Sequence, residues 1–191
     1  MTTGTSNVAL GGSAGQNGID ASYNVFIGTN AAYQVTSGSG NISINSRNSS
    51  GTYTPCLNIT TENNRISMGS TGVTNAYIQV SWTVLSDARD KANVADAPYG
   101  LDFVNGLRPV TYQWDKRNNY ENKTPDGTHL EPKLQLGFLA QDVIALELQH
   151  GATAKDLLVG DDEFEDSLKV TEAKLIPVLV KAIQRSEERR V

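Results

Sequence analysis

The chain has 191 residues, of which 38% are hydrophobic and 19% charged, and its net charge is −5 at pH 7. This balance suffices for one sizeable core or two small domains and excludes wholesale disorder. An acidic chain without a Lys/Arg run has no footprint for nucleic acid, and no stretch reaches the apolar length of a membrane span.

The N-terminus, "MTTGTSNVALGG", lacks the charged and apolar blocks of a signal peptide. A repeat follows at once. "NVALG" begins at Asn7, "NVFIG" at Asn24, "NISIN" at Asn41 and "NIT" at Asn58, so asparagine recurs every 17 residues. Each copy is a short apolar alternation, such as Val25 and Ile27 around Phe26, set between turn-forming tracts such as "QVTSGSG". The pattern predicts short strands joined by polar turns, one coil per repeat, in the manner of a β-helix. A thin Gly/Ser-rich coil cannot bury its own apolar edge. Residues 1–85 are therefore expected to be the distal end of a fibre whose core is shared among chains, as a homotrimer, with a self-contained solenoid as the alternative. A repeat starting so close to Met1 also predicts more fibre upstream.

Residues 62–85 lose the 17-residue phase. They keep a strand-like alternation through Tyr77, Ile78, Val80, Trp82 and Val84, which predicts a transition or capping region. Cys56 has no partner for an internal disulfide and is expected as a small buried residue. His129 and His150 are the only imidazoles, so no zinc cluster can form, and no metal or cofactor is expected.

After Lys91 charged residues and helical patterns become common. "APYGLDFVNGL" spaces Leu101, Val104 and Leu107 for a short helix closed by Gly106. "RPVTYQW" predicts a strand with Val110, Tyr112 and Trp114 on one face. A polar loop with a turn at Pro125-Asp126-Gly127 leads through "LQLGFLA" into a second helix, "QDVIALELQ", which His150 and Gly151 suit as an end. The acidic tract Asp161–Asp166 lacks the spacing of a calcium loop and is expected to face the positive end of a long helix from about Leu168 to Arg190. Leu175, Ile176, Leu179 and Ile183 form an apolar stripe on that helix, which predicts a seam between chains, and Pro177 predicts a kink.

At the boundary stands "LSDARDK". A serine hydroxyl needs a base to become a nucleophile, and a lysine can serve if burial or a neighbouring cation leaves it neutral. Ser86 is then the nucleophile, Lys91 the base and Arg89 a modulator. Five-residue spacing does not bring two side chains together on a regular helix, so this pair requires a turn or an extended lead-in. Attack on the carbonyl of Leu85 would be an N-to-O acyl shift that severs the Leu85–Ser86 bond, where the composition changes. In the bland alternative, Ser86 or Asp87 caps a helix and Lys91 is a solvated surface residue.

Four motifs in order, "LSDARDKANV", "YGLDFVNGLRPVTYQW", "LGFLAQDV" and "LIPVLVKAIQ", resemble the self-cleaving intramolecular chaperone domain at the C-termini of bacteriophage tail spikes and fibres, over roughly residues 85–185. The resemblance implies a small α/β (α+β) domain with a long C-terminal helix at 86–191. Such a domain trimerises the upstream fibre chain, its folding client, and is then cut off. It implies Ser86 and Lys91 as the catalytic pair, Leu85–Ser86 as the cleavage site, and Asp87 and Arg89 as the intervening residues of an S-D-x-R-x-K pattern. After "VLVKAIQ" the chain departs from the pattern with "RSEERRV", where relatives carry more apolar helix. The implied places are the virion tail for the fibre part and the host cytoplasm during assembly for the released part. A different class of function is a permanent fibre tip that binds a host-surface receptor without cleavage. A polysaccharide hydrolase ranks third, because no motif places an acid pair.

Overall fold

The structure, a computed structural model, describes residues 3–154, 156–164 and 166–188. Arg190, the expected helix end, and Glu165 of the acidic tract lie outside them. The chain is mixed α/β, with three α-helices and several sheets among the described residues. It divides into two compact units, Met1–Val84 and Leu85–Val191.

In the first unit, strands β1 (Val8–Leu10), β2 (Val25–Ile27), β3 (Ile42–Ile44) and β4 (Ile66–Met68) form one parallel sheet. Val8 pairs with Val25, Val25 with Ile42, and Ile42 with Ile66. An asparagine ladder runs beside the strands. Asn7 Oδ1 accepts the backbone N–H of Asn24 at 3.0 Å, and Asn24 Oδ1 accepts that of Asn41 at 2.8 Å, each across 17 residues. Asn41 Oδ1 accepts the N–H of Arg65 at 2.8 Å, across 24. The third coil is therefore longer, and Asn58, the fourth asparagine of the period, stands on a surface loop where its amide donates to Gln34 Oε1. Asn24 and Asn41 are buried at no net loss because their amide N–H groups also find carbonyls, Gly38 O and Glu62 O.

Each strand is bracketed by corners at positive φ. Ser6, Tyr23, Gly40 and Asn64 stand before the strands, and Gly11, Gly28, Asn45 and Gly69 after them. This geometry explains the Gly/Asn/Ser composition, since L-residues with a branched Cβ resist it. Gly11 is needed twice over, because a Cβ there would lie 2.6 Å from the Gly28 carbonyl carbon.

The core of this unit is small: Phe26, Val35 and Ile59 with Ala21, Ala31 and Ala32. Phe26 points inward, between Ala9 and Ser43 of the adjacent strands, while Val25 and Ile27 lie on the outer face. That outer face is apolar and open, with Val8, Leu10, Ile66 and Met68 all exposed. Cys56, expected inside, is exposed, because the long third coil carries it outward while Thr54 and Ile59 turn in. The alternating stretch around Tyr77–Val84 forms no strand, since a single chain offers its backbone no ladder partner.

In the second unit, α1 (Leu101–Gly106), β5 (Val110–Tyr112), β6 (Gln135–Gly137) and α2 (Ala140–Gln149) follow in order. β5 pairs antiparallel with β6, and Tyr112 and Trp114 meet edge to face, ring centroids 5.2 Å apart. The core gathers Tyr99, Phe103, Val143, Leu146, Val159, Leu175 and Val178. Phe103, rather than the Leu101/Val104/Leu107 set, is the fully buried residue of α1, stabilising by about 1.5–3 kcal/mol. Gly106 ends α1 without positive φ. It is small because a Cβ there would come within 2.6 Å of Leu146 Cδ1, so it permits close approach of α2. His150 closes α2 with Nδ1 2.9 Å from Leu146 O, and Gly151 follows at φ +91.

The acidic tract is not at a helix start. β7 (Gly160–Asp161) pairs with β8 (Lys169–Val170), so the tract is the tip of a hairpin in which Asp161 meets Lys169 at 3.7 Å. Strand pairing of Lys169–Val170 also delays the last helix, α3, to Leu175–Glu188. Pro177 then falls in the first turn, where no N–H is needed, and the helix runs on past it. The expected stripe separates into two. Leu175, Val178 and Ala182 are buried, while Ile176, Leu179, Val180 and Ile183 form a second, exposed apolar stripe.

Candidate functional site

Asp87 organises the segment after Leu85. With φ −66° and ψ 132° it caps a 3₁₀ turn, Ala88–Asp90, its carboxylate accepting the Arg89 N–H at 2.9 Å. The turn closes through Lys91 N–H to Ala88 O at 3.2 Å, after which Lys91 is extended. A 3₁₀ turn is tighter than an α-turn, and with extended residues on both sides it folds position 91 back over position 86. Lys91 Nζ donates to Ser86 Oγ at 2.6 Å.

The Arg89 guanidinium lies against Asp87, with Nη2 2.6 Å from Oδ2 and Nε 3.1 Å from Oδ1. Hydrogen bonds from this guanidinium, and then from the Arg89 N–H, hold the Asp87 carboxyl below its usual range, and Asp87 in turn pushes Arg89 up. Arg89, taken from sequence as a cation acting on Lys91, thus has its charge balanced by Asp87. Ser86, Asp87, Arg89 and Lys91 are all exposed, as is Leu85, whose carbonyl oxygen accepts no hydrogen bond from the described residues. The four residues meet on one open turn. It can align a hydroxyl with an amine, but in one chain the amine is donor and the hydroxyl acceptor.

Two residues that sequence reasoning missed shape the unit behind the turn. Glu147, fully buried on α2, accepts the N–H groups of Leu158 and Val159 on Oε1, at 2.8 and 3.0 Å, and of Gly160 on Oε2 at 2.6 Å. Tyr99 stacks on Phe103 at 4.2 Å, and burial, then the charge and hydrogen bond of Glu147, push its phenol up to about 12. The signal was present: Glu147 lies four residues after Val143, on the inward face of α2. Among the described residues no group of His, Cys, Asp and Glu could hold a metal, and no helix is long and apolar enough to cross a membrane.

Comparison with curated proteins and with solved structures finds no match. A family model does match, over residues 86–151, and it is described as the chaperone of endosialidase. The match begins at Ser86 and ends at Gly151, before the β7–β8 hairpin and α3, and so is narrower than the resemblance over 85–185. From Ser86 to Gly151, then, the chain is similar to the intramolecular chaperones of phage tail proteins.

Proposed function

We propose that residues 86–191 bring three copies of the chain together, template the folding of the fibre that precedes them, and are then released by one cut between Leu85 and Ser86. The observation that carries the cut is the 2.6 Å contact between Lys91 Nζ and Ser86 Oγ at the first residue of the family match. Ser86 Oγ attacks the Leu85 carbonyl carbon while its proton passes to a neutral Lys91 amine. The C–N bond breaks, the nitrogen takes up that proton to become the free amine of Ser86, and Leu85 is left as an ester on Oγ. Water opens the ester, leaving a Leu85 carboxylate and restoring the hydroxyl. Desolvation by neighbouring copies is the physical means of making the amine a base, which ties cleavage to assembly. The open apolar face of the β1–β4 sheet and the exposed stripe of α3 support a core shared among chains. The fibre would remain on the virion, and the released part in the host cytoplasm.

Intact mass and N-terminal sequencing of freshly made protein test this directly. Expected are pieces 1–85 and 86–191, the second beginning Ser-Asp-Ala-Arg, and light scattering on Ser86→Ala protein should report three chains per particle. A different new N-terminus rejects the bond. A second function, a permanent fibre tip that binds a host-surface receptor, is favoured by the exposure of the Ser86–Lys91 pair, and in that case the chain stays whole.

A further inference from the structure

From Ile66 to Ser86 the chain carries no Asp, Glu, Lys, Arg or His. Within that stretch Ile78, Val80, Trp82 and Val84 alternate with Gln79, Ser81 and Thr83, the period of a strand with one apolar face. In a single chain this strand is incomplete. Residues 76–85 make no backbone hydrogen bond to any described residue, and the apolar face lies open, with Val80 72%, Trp82 75% and Val84 81% exposed. A row of ladder groups and a row of large apolar side chains are thus both left in water.

We infer that residues 77–85 become an inter-chain β-strand in the assembled protein, parallel and in register with the same segment of neighbouring copies, with Ile78, Val80, Trp82 and Val84 turned to a shared axis. The occupant is a second copy of this chain. In-register pairing sets every residue beside its own duplicate, which is destabilising for charges and favourable for β-branched and aromatic side chains, and apart from Leu85 this stretch has only the latter kinds and neutral polar groups. A partner of different sequence would find no charge here to recognise. The apolar face also sets the register, since a slip of one residue would turn Gln79, Ser81 and Thr83 to the axis.

The inference rests on the proposed trimer and adds what aligns the cut. Leu85 directly follows the last inward residue, so ordering the strand orders the carbonyl that Ser86 attacks, and misplacement by about an ångström can lower a rate on the order of a hundredfold.

The test places single cysteines at Ile78, Val80 and Val84, and at Gln79, Ser81 and Thr83, in full-length protein carrying Cys56→Ser and Ser86→Ala. Each variant is treated with a maleimide, and light scattering counts its chains. The expected result is particles of several chains in which the first three positions react more slowly than the other three, by on the order of tenfold or more. An inward cysteine that blocks assembly while the outward ones assemble shows the same alternation. Even labelling across all six positions in particles of several chains overturns the strand and leaves the trimer standing. Single-chain particles at all six positions overturn both. Protection that arises only after phosphatidylcholine vesicles are added assigns the face to lipid and also overturns the inference.

Discussion

Lys91 Nζ reaches Ser86 Oγ at 2.6 Å across five positions because a single 3₁₀ turn, and no longer helix, separates them. In the proposed cut Ser86→Ala removes the nucleophile and Lys91→Ala the base, and each should lower cleavage by on the order of a thousandfold or more. Lys91→Arg keeps the charge and the reach but cannot give up its proton, so it should fail equally. Denaturing gels and intact mass after prolonged incubation check all three.

Asp87 is expected to hold that turn into mild acid. Its folded carboxyl lies below the ordinary aspartate value, so its contribution is complete above the unfolded value and is lost only as pH falls through the depressed one. An NMR titration following the Arg89 amide should show a single midpoint below that of an unstructured aspartate. Asp87→Asn, which can still cap, should keep more of the turn than Asp87→Ala.

Glu147→Gln should destabilise the second unit by about 2–4 kcal/mol, because an amide N–H₂ would face backbone N–H groups that now share a carboxylate. Denaturant unfolding gives the loss, and faster hydrogen exchange at Leu158, Val159 and Gly160 locates it. Tyr99 points to the opposite end of the pH scale. With a phenol raised to about 12, it contributes stability that is complete below 10 and is lost as pH rises towards 12, so Tyr99→Phe should flatten the alkaline fall.

The two stripes of α3 should separate by mutation. Val178→Asp puts a charge into the core and should cost more than about 3 kcal/mol, unfolding the unit. Leu179→Asp lies on the exposed stripe and should leave circular dichroism unchanged while lowering the yield of the proposed trimer and, through it, the proposed cleavage.

Tyr23 occupies a left-handed corner at φ 59° with its ring mostly in solvent. Tyr23→Gly relieves the backbone with little loss of packing and should stabilise the first unit by about 1 kcal/mol. Thermal unfolding followed at the coil core checks the sign.

Short-range patterns were legible. Phe26 in its apolar triplet and the His150-Gly151 helix end each depend on neighbours within a turn or two. What was not legible depended on distant partners. Lys169–Val170 became a strand because Gly160–Asp161 lies opposite, and that pairing moved both the acidic tract and the start of α3. Cys56 went outward because the third coil is longer than the others, which no local property of the residue shows. The Asp87–Arg89 ion pair was within reach of the sequence, two residues apart on a capped turn, but its effect in balancing Arg89 needed the geometry.

The third coil carries its extra length between Ile44 and Ile66, fastened by small bridges at Arg47–Tyr53 and Pro55–Ser70, yet the ladder from Asn41 to Arg65 closes as it does between the shorter coils. Stacking and outward shape are thus independent: the rungs ask only for an amide at one corner and left-handed residues at the turns, whatever loop departs between them. Such a coil can exchange the loops it displays while keeping the same internal ladder.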